Sequence, residues 1–139
     1  MSGNGLAPVQ RWGITILRVV VGIVFLAHGG QKLFVWGFSA VAGFFGQLGI
    51  PAPMLAAVIV TLVEFLGGLA LVLGLYTRWA AIPLALNMAV AVFTVHLPNG
   101  FFLPDGYEFA LTLLAANVAL SLLGSGEASL DGLLEQRKT

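Results

Sequence analysis

The chain has 139 residues, 59% of them hydrophobic and only 9% charged, and its six basic and six acidic side chains cancel to a net charge of +0. Soluble domains carry about a quarter of their residues as charges, so a mean hydropathy of +1.00 points to a chain built for lipid. The neutral balance, without a basic cluster, argues against nucleic-acid binding. The lack of cysteine excludes disulfides, iron–sulfur clusters, thiolate metal sites and any thiol relay within this chain.

The length allows one domain, 1–139, and four apolar runs occupy most of it, at about 12–34, 54–76, 80–97 and 107–124. Each approaches the ~20 residues that a membrane-crossing helix needs. The expected fold is therefore all-α, an integral membrane four-helix bundle in contact with the lipid bilayer. The first run carries Arg18, His28 and Lys32. It exceeds a signal peptide's apolar region and its polar end lacks a small-x-small cleavage pattern, so it is read as retained. The loop that follows, 35–53, has an apolar middle too short to span, which suggests a short interfacial helix or a re-entrant segment, with Trp36 as an aromatic anchor. Pro51 and Pro53 then restart the chain. The second run has Glu64 near its middle. The third has Pro83, expected in its first turn, then Asn87 and His96, and the fourth holds Glu108 and Asn117. Asn87 and Asn117 read as hydrogen-bond glue between helices.

With four spans, Arg11, Arg78, Arg137 and Lys138 fall on one side of the membrane, and Lys32 lies on the other. The positive-inside bias places both termini and the Arg78 turn in the cytoplasm.

Ionisable groups inside a membrane are costly and are functional candidates by default. On a helical wheel Arg18, Gly22, Phe25, Gly29 and Lys32 share one face of the first span, within about 40° of a line, with His28 at its edge. Ala57, Val60, Glu64, Gly68 and Leu71 share a face of the second. Charges of opposite sign face each other at two depths: Arg18 with Glu64, and Lys32 with Glu108. Counting from Trp12 and Tyr76 as level ends leaves ~9 Å of rise between Arg18 and Glu64, and ~6 Å between Glu64 and His28. Arg18–Glu64 is thus the expected structural ion pair, with His28 an equally reasonable partner. Lys32, His96 and Glu108 are expected to converge on a pocket at the outer end, and His28 and Glu64 are further candidates for ligand binding or proton handling. Gln31 points away from this line, toward lipid or a loop. The two histidines could bracket a haem between the first and third spans, but hydrogen bonding is the commoner role, and haem and other metal sites are not expected.

Several motifs follow one another in order: Leu17-Arg18 with Gly22, then His28-Gly29-Gly30-Gln31-Lys32-Leu33-Phe34, then Leu48-Gly49-Ile50-Pro51. Glu64-Phe65-Leu66-Gly67-Gly68 and Leu73-Gly74-Leu75-Tyr76-Thr77-Arg78 come next, then His96 with Gly100-Phe101, Glu108, Gly124-Ser125-Gly126 and Ser129-Leu130-Asp131. From about Leu17 to Leu133 the chain resembles the DoxX family. The resemblance implies a small bacterial inner-membrane protein with four helices. Family members have been named as membrane subunits of thiosulfate- or quinol-linked oxidoreductases and as partners in thiol and oxidative-stress complexes. The matching polar positions are Arg18, Lys32, Glu64, His96 and Glu108. The expected role is a membrane subunit of a quinone-linked oxidoreductase or of a redox or oxidative-stress complex, with quinone as the candidate ligand. A non-enzymatic scaffold recruiting a soluble oxidoreductase and a small-solute carrier are the alternatives, and a homo-oligomer remains open.

The topology has a direct check. A cysteine introduced as Leu103→Cys should react with an impermeant reagent added to intact cells, and one introduced as Gln136→Cys should not. The reverse labelling pattern contradicts the assignment.

Overall fold

The computed structural model describes residues 5–139, and every regular element among them is helical. Helix α1, Pro8–Gly30, starts with proline at its first position, where a missing N–H costs nothing. Gln10 Oε1 accepts the Ala7 N–H at 2.8 Å and caps the entry. The chain does not break at Gly30 but widens into a π-helical stretch, Gln31–Trp36, which ends with the Gly37 N–H on the Lys32 carbonyl at 2.9 Å. A short helix α2, Phe38–Gln47, follows in the loop where one was expected. Helix α3 is Pro53–Leu73 and helix α4 is Thr77–Ala91. The latter continues as a second π-helical stretch, Val92–His96, and a 3-10 turn, Leu97–Asn99. Helices α5, Glu108–Leu123, and α6, Leu130–Gln136, complete the chain. Because α4 starts at Thr77, Pro83 is its seventh residue rather than a first-turn one, and its ring leaves the Trp79 carbonyl without an i+4 donor.

Three helical stretches are long and apolar enough to cross a membrane: Pro8–Trp36, Pro53–Leu73 and Thr77–Asn99. The fourth, Glu108–Leu123, is apolar but has only 16 residues, or ~24 Å of helix. The burial pattern is that of a membrane bundle. On α1 the stripe Trp12, Ile16, Val20 and Ile23 is exposed, and Arg18, Gly22, Phe25 and Gly29 are buried. On α3, Leu55, Ile59, Leu62, Leu66 and Leu69 are exposed, and Ala57, Thr61, Glu64, Gly68 and Leu71 are buried. The inward face is the smaller and more polar one, since lipid offers apolar side chains a solvent as good as the protein interior.

Helix α1 lies closely against α3, and α4 against α5, with α2 seated on α3. The first pair is joined backbone to backbone. A Cβ on Gly22 would meet the Val72 nitrogen at 2.7 Å, one on Gly29 the Phe65 backbone, and one on Gly68 the Leu26 backbone. These contacts fix the register of α1 on α3. A core of Ile14, Val21, Phe25, Leu71, Leu84, Met88, Leu113 and Leu120 joins the two pairs, while Val41, Ala42 and Phe45 of α2 pack over Ala57.

Side chains at the glycine contacts must force the pair apart. Gly29→Val and Gly68→Val should each cost about 1–3 kcal/mol or more, read as a lower Tm in detergent. Gly43→Ala, with nothing within 4 Å of the added Cβ, should be neutral. Equal effects at all three positions contradict the packing.

Candidate functional site

Polar groups gather in two places, at opposite halves of the bundle. At the end where α1 begins and α6 lies, Arg18 is fully buried. Its Nη1 donates to the carbonyls of Leu71 at 2.7 Å and Val72 at 3.0 Å. Its Nη2 donates to Glu127 at 3.3 Å and Ala128 at 3.1 Å. The guanidinium therefore closes the C-terminus of α3, where backbone carbonyls lack partners and the helix dipole favours a cation. Gly74 makes room for it: its φ is +67°, and a Cβ there would meet Arg18 Nη1 at 2.6 Å. Asp131 caps the next helix, accepting the Tyr76 N–H at 2.6 Å and the Thr77 N–H at 3.1 Å. Arg78 closes α5 through the Leu122 carbonyl at 2.6 Å. Arg11 pairs with Glu127 at 2.6 Å. Each charge here terminates a helix or ties down the C-terminal segment.

The other half holds a cavity of about 700 Å³ between the helix pairs, inside the ~300–1,000 Å³ range of small-molecule sites. Its base is the top of the core: Phe25, Met88 and Leu113 belong to both. Its walls include Val60, Ala91 and Phe109, with Trp36, Phe44 and Phe45 from the α2 region and Leu103 and Pro104 from the loop before α5. Within this apolar lining, Lys32 Nζ lies 2.6 Å from Glu64 Oε2. Asn87 Nδ2 donates to the other carboxylate oxygen, Oε1, at 2.9 Å. The side chains are 16% exposed at Lys32 and 6% at Glu64. Both carboxylate oxygens are engaged, while the ammonium uses one of its three hydrogens on Glu64. His28 and His96 also line the cavity. His28 stacks obliquely on Phe109, with ring centroids 6.4 Å apart, and His96 Nδ1 is 3.0 Å from the Asp105 carbonyl.

A family model described as DoxX matches residues 13–97. The chain is 35% identical over 119 residues to the "Putative oxidoreductase CatD" of Bacillus subtilis, covering 86% of this chain and 84% of that one. The chain belongs to the DoxX family. An uncharacterized membrane protein of Mycobacterium tuberculosis is 34% identical over 91% of this chain and 83% of its own. The Escherichia coli inner membrane protein YqjF is 28% identical over 95% of this chain and 99% of its own. No solved structure matches at a significant level.

In this DoxX protein the expected Arg18–Glu64 pair does not form, and His28 does not replace Arg18: Glu64 is held by Lys32 and Asn87. The reason is register. The glycine contacts set Gly22 against Val72 and Gly29 against Phe65, so Glu64 is level with position 30, ~18 Å of rise from Arg18. Lys32 is then only ~3 Å above it. Lys32 accordingly does not pair with Glu108, which stands outside the cavity and accepts the Leu103 N–H at 3.2 Å. Of the three groups expected to converge, Lys32 and His96 share the cavity and Glu108 instead braces its loop. Gln31 is exposed. Asn117 bonds within its own helix, to the Leu113 carbonyl at 2.9 Å. Asn87, expected to bond between helices, does so, and its partner is the Glu64 carboxylate at the cavity. Lys32 and His96 both lie in the π-helical stretches, a wide-turn geometry frequent at functional sites that composition does not announce. Among the described residues, no three of His, Cys, Asp and Glu are grouped for a metal.

The pairing yields a double-mutant test. Glu64→Gln and Lys32→Met should couple, with an interaction energy on the order of 1–3 kcal/mol in detergent-solubilised protein. Glu64→Gln and Arg18→Leu should instead add within about 0.5 kcal/mol. Coupling to Arg18 and not to Lys32 contradicts the arrangement.

Proposed function

We propose that this DoxX protein is a membrane subunit of a redox complex and that its cavity receives the headgroup of a quinone-type lipid. The observation that carries the reading is the cavity itself: apolar walls, a volume of about 700 Å³, and a cation with unused hydrogens beside a fixed carboxylate. A quinone carbonyl needs a hydrogen-bond donor in an otherwise apolar site, and Lys32 supplies one. An apolar tail could extend along the exposed wall residues Trp36, Phe44 and Val90 toward lipid. Glu64 keeps the ammonium in place, and Asn87 keeps the carboxylate from rotating away. The oxidoreductase name carried by CatD agrees with this role. Without cysteine, sulfur chemistry in such a complex falls to a bound substrate or to a soluble oxidoreductase partner. The protein would sit in the bacterial inner membrane with both termini in the cytoplasm, following the positive-inside bias.

The test is mass spectrometry of lipophilic molecules retained by protein purified from native membranes. Quinone should be enriched over the surrounding lipid extract and fall about ten-fold or more in Lys32→Met, while Gln31→Ala keeps it. The neutral pair Lys32→Met/Glu64→Gln serves if the single variant does not fold. Equal quinone in all variants contradicts the reading and favours a scaffold that recruits a soluble partner.

A further inference from the structure

The two histidines at the cavity differ in what fixes their rings. His96 Nδ1 lies 3.0 Å from the Asp105 carbonyl oxygen. A carbonyl has no hydrogen to give, so Nδ1 must be the protonated nitrogen, and in the neutral ring Nε2 keeps its lone pair. Among the described residues nothing hydrogen-bonds to Nε2. The Asp105 carbonyl is itself held in place. Asn99 Nδ2 reaches it at 3.5 Å, the Tyr107 and Glu108 N–H groups close the loop onto Gly100 and Phe101 at 2.9 and 3.0 Å, and Glu108 Oε1 takes the Leu103 N–H at 3.2 Å. Among the described residues His28 makes no such hydrogen bond; its ring packs on Phe109, and no described contact selects its tautomer. The cavity thus contains a lone-pair acceptor of fixed tautomer on His96 and a charged donor on Lys32.

A quinone ring presents acceptors only. Its hydroquinone presents two hydroxyls, each able to donate and to accept. We infer that the cavity prefers the hydroquinone, with His96 Nε2 accepting from one hydroxyl and Lys32 donating to the ligand's other oxygen. This rests on the quinone-site reading above and adds to it a specificity-determining residue, His96, and a positioning residue, Glu108, which acts through the loop. Quinone in the same place satisfies Lys32 and leaves Nε2 without a partner. A site built to bond a hydroxyl discriminates strongly against the analogue that lacks it.

The experiment uses full-length protein in nanodiscs at pH 8 without oxygen, titrated calorimetrically with a decyl-substituted benzoquinone and with its hydroquinone. The expected result is hydroquinone binding at least about ten-fold tighter than quinone. His96→Phe should remove that preference by weakening hydroquinone about ten-fold while leaving quinone within about two- to three-fold. His96→Gln, which keeps an acceptor oxygen, should recover part of it, and Gln31→Ala, at an exposed position outside the cavity, should leave the preference unchanged. Glu108→Ala, which removes the acceptor of the Leu103 N–H, should weaken hydroquinone more than quinone. Equal affinity for the two forms, or equal loss of both in His96→Phe, overturns the preference while leaving the quinone site standing. Binding of neither form overturns both. A haem absorption band in purified protein that His96→Phe abolishes places the Nε2 lone pair on iron and also overturns the proposal.

Discussion

A carboxylate halfway along a membrane helix costs about 3 kcal/mol or more unless the protein supplies its partners. Here Glu64 is supplied from two sides, by the Lys32 ammonium at 2.6 Å and the Asn87 amide at 2.9 Å. That arrangement depends on how α1 is set against α3. Gly22, Gly29 and Gly68 let the two backbones touch, and with that register Lys32, not Arg18, reaches the carboxylate. A buried pair of this kind adds little to stability compared with an apolar substitute, because desolvation offsets most of the attraction. What it provides is a fixed polar group in a space lined mostly by apolar side chains.

The two halves of the bundle divide their work accordingly. At the end where α1 begins and α6 lies, Arg18, Arg78 and Asp131 satisfy the free carbonyls and N–H groups of helix ends. Turns buried against one another cannot leave those groups bare. There the core is filled, with Leu71, Leu84 and Leu120 fully enclosed. At the other end the π-helical stretches carry Lys32 and His96 past the last layer of core residues, and α2 and the 100–107 loop stand around a space that the core does not fill. Family motifs of similar appearance in the sequence therefore serve different ends. Gly74-Leu75-Tyr76-Thr77-Arg78 shapes and caps a turn, whereas His28, Lys32, Glu64 and His96 face a cavity.

The faces of α1 and α3 are legible in sequence because helical periodicity needs no knowledge of the partner. Arg18, Gly22, Phe25 and Gly29 share a wheel position and are all buried. The short helix between the first two spans is legible from an apolar stretch too short to cross. Pairing is different, since it depends on axial register, and aromatic belt residues such as Trp12 and Tyr76 locate helix ends only loosely. Backbone contact at glycines locates the helices to within a residue. One signal for Asn87 was present. Glu64 lies ten residues before Gly74 and Asn87 ten after Thr77, so the tight turn between α3 and α4 necessarily brings them to one depth. The wide turns at Gln31–Trp36 and Val92–His96 leave no comparable mark, because residues of ordinary helical propensity occupy them. The Glu108 contact is hidden in the sequence for a related reason: an acidic group at a helix start can turn toward its own preceding loop as readily as toward a cation across the bundle.

The central claim is direct contact between Lys32 and Glu64 inside the membrane. Solid-state NMR of protein in native-like bilayers, with lysine and arginine side-chain nitrogens and glutamate carboxyl carbons isotopically labelled, measures it without relying on folding or activity. The account predicts a strong dipolar coupling between Lys32 Nζ and the Glu64 carboxyl carbon, as an N···O distance of 2.6 Å requires, and none between Glu64 and the Arg18 guanidinium. A Glu64 carboxyl coupled to Arg18, or uncoupled from Lys32, contradicts it.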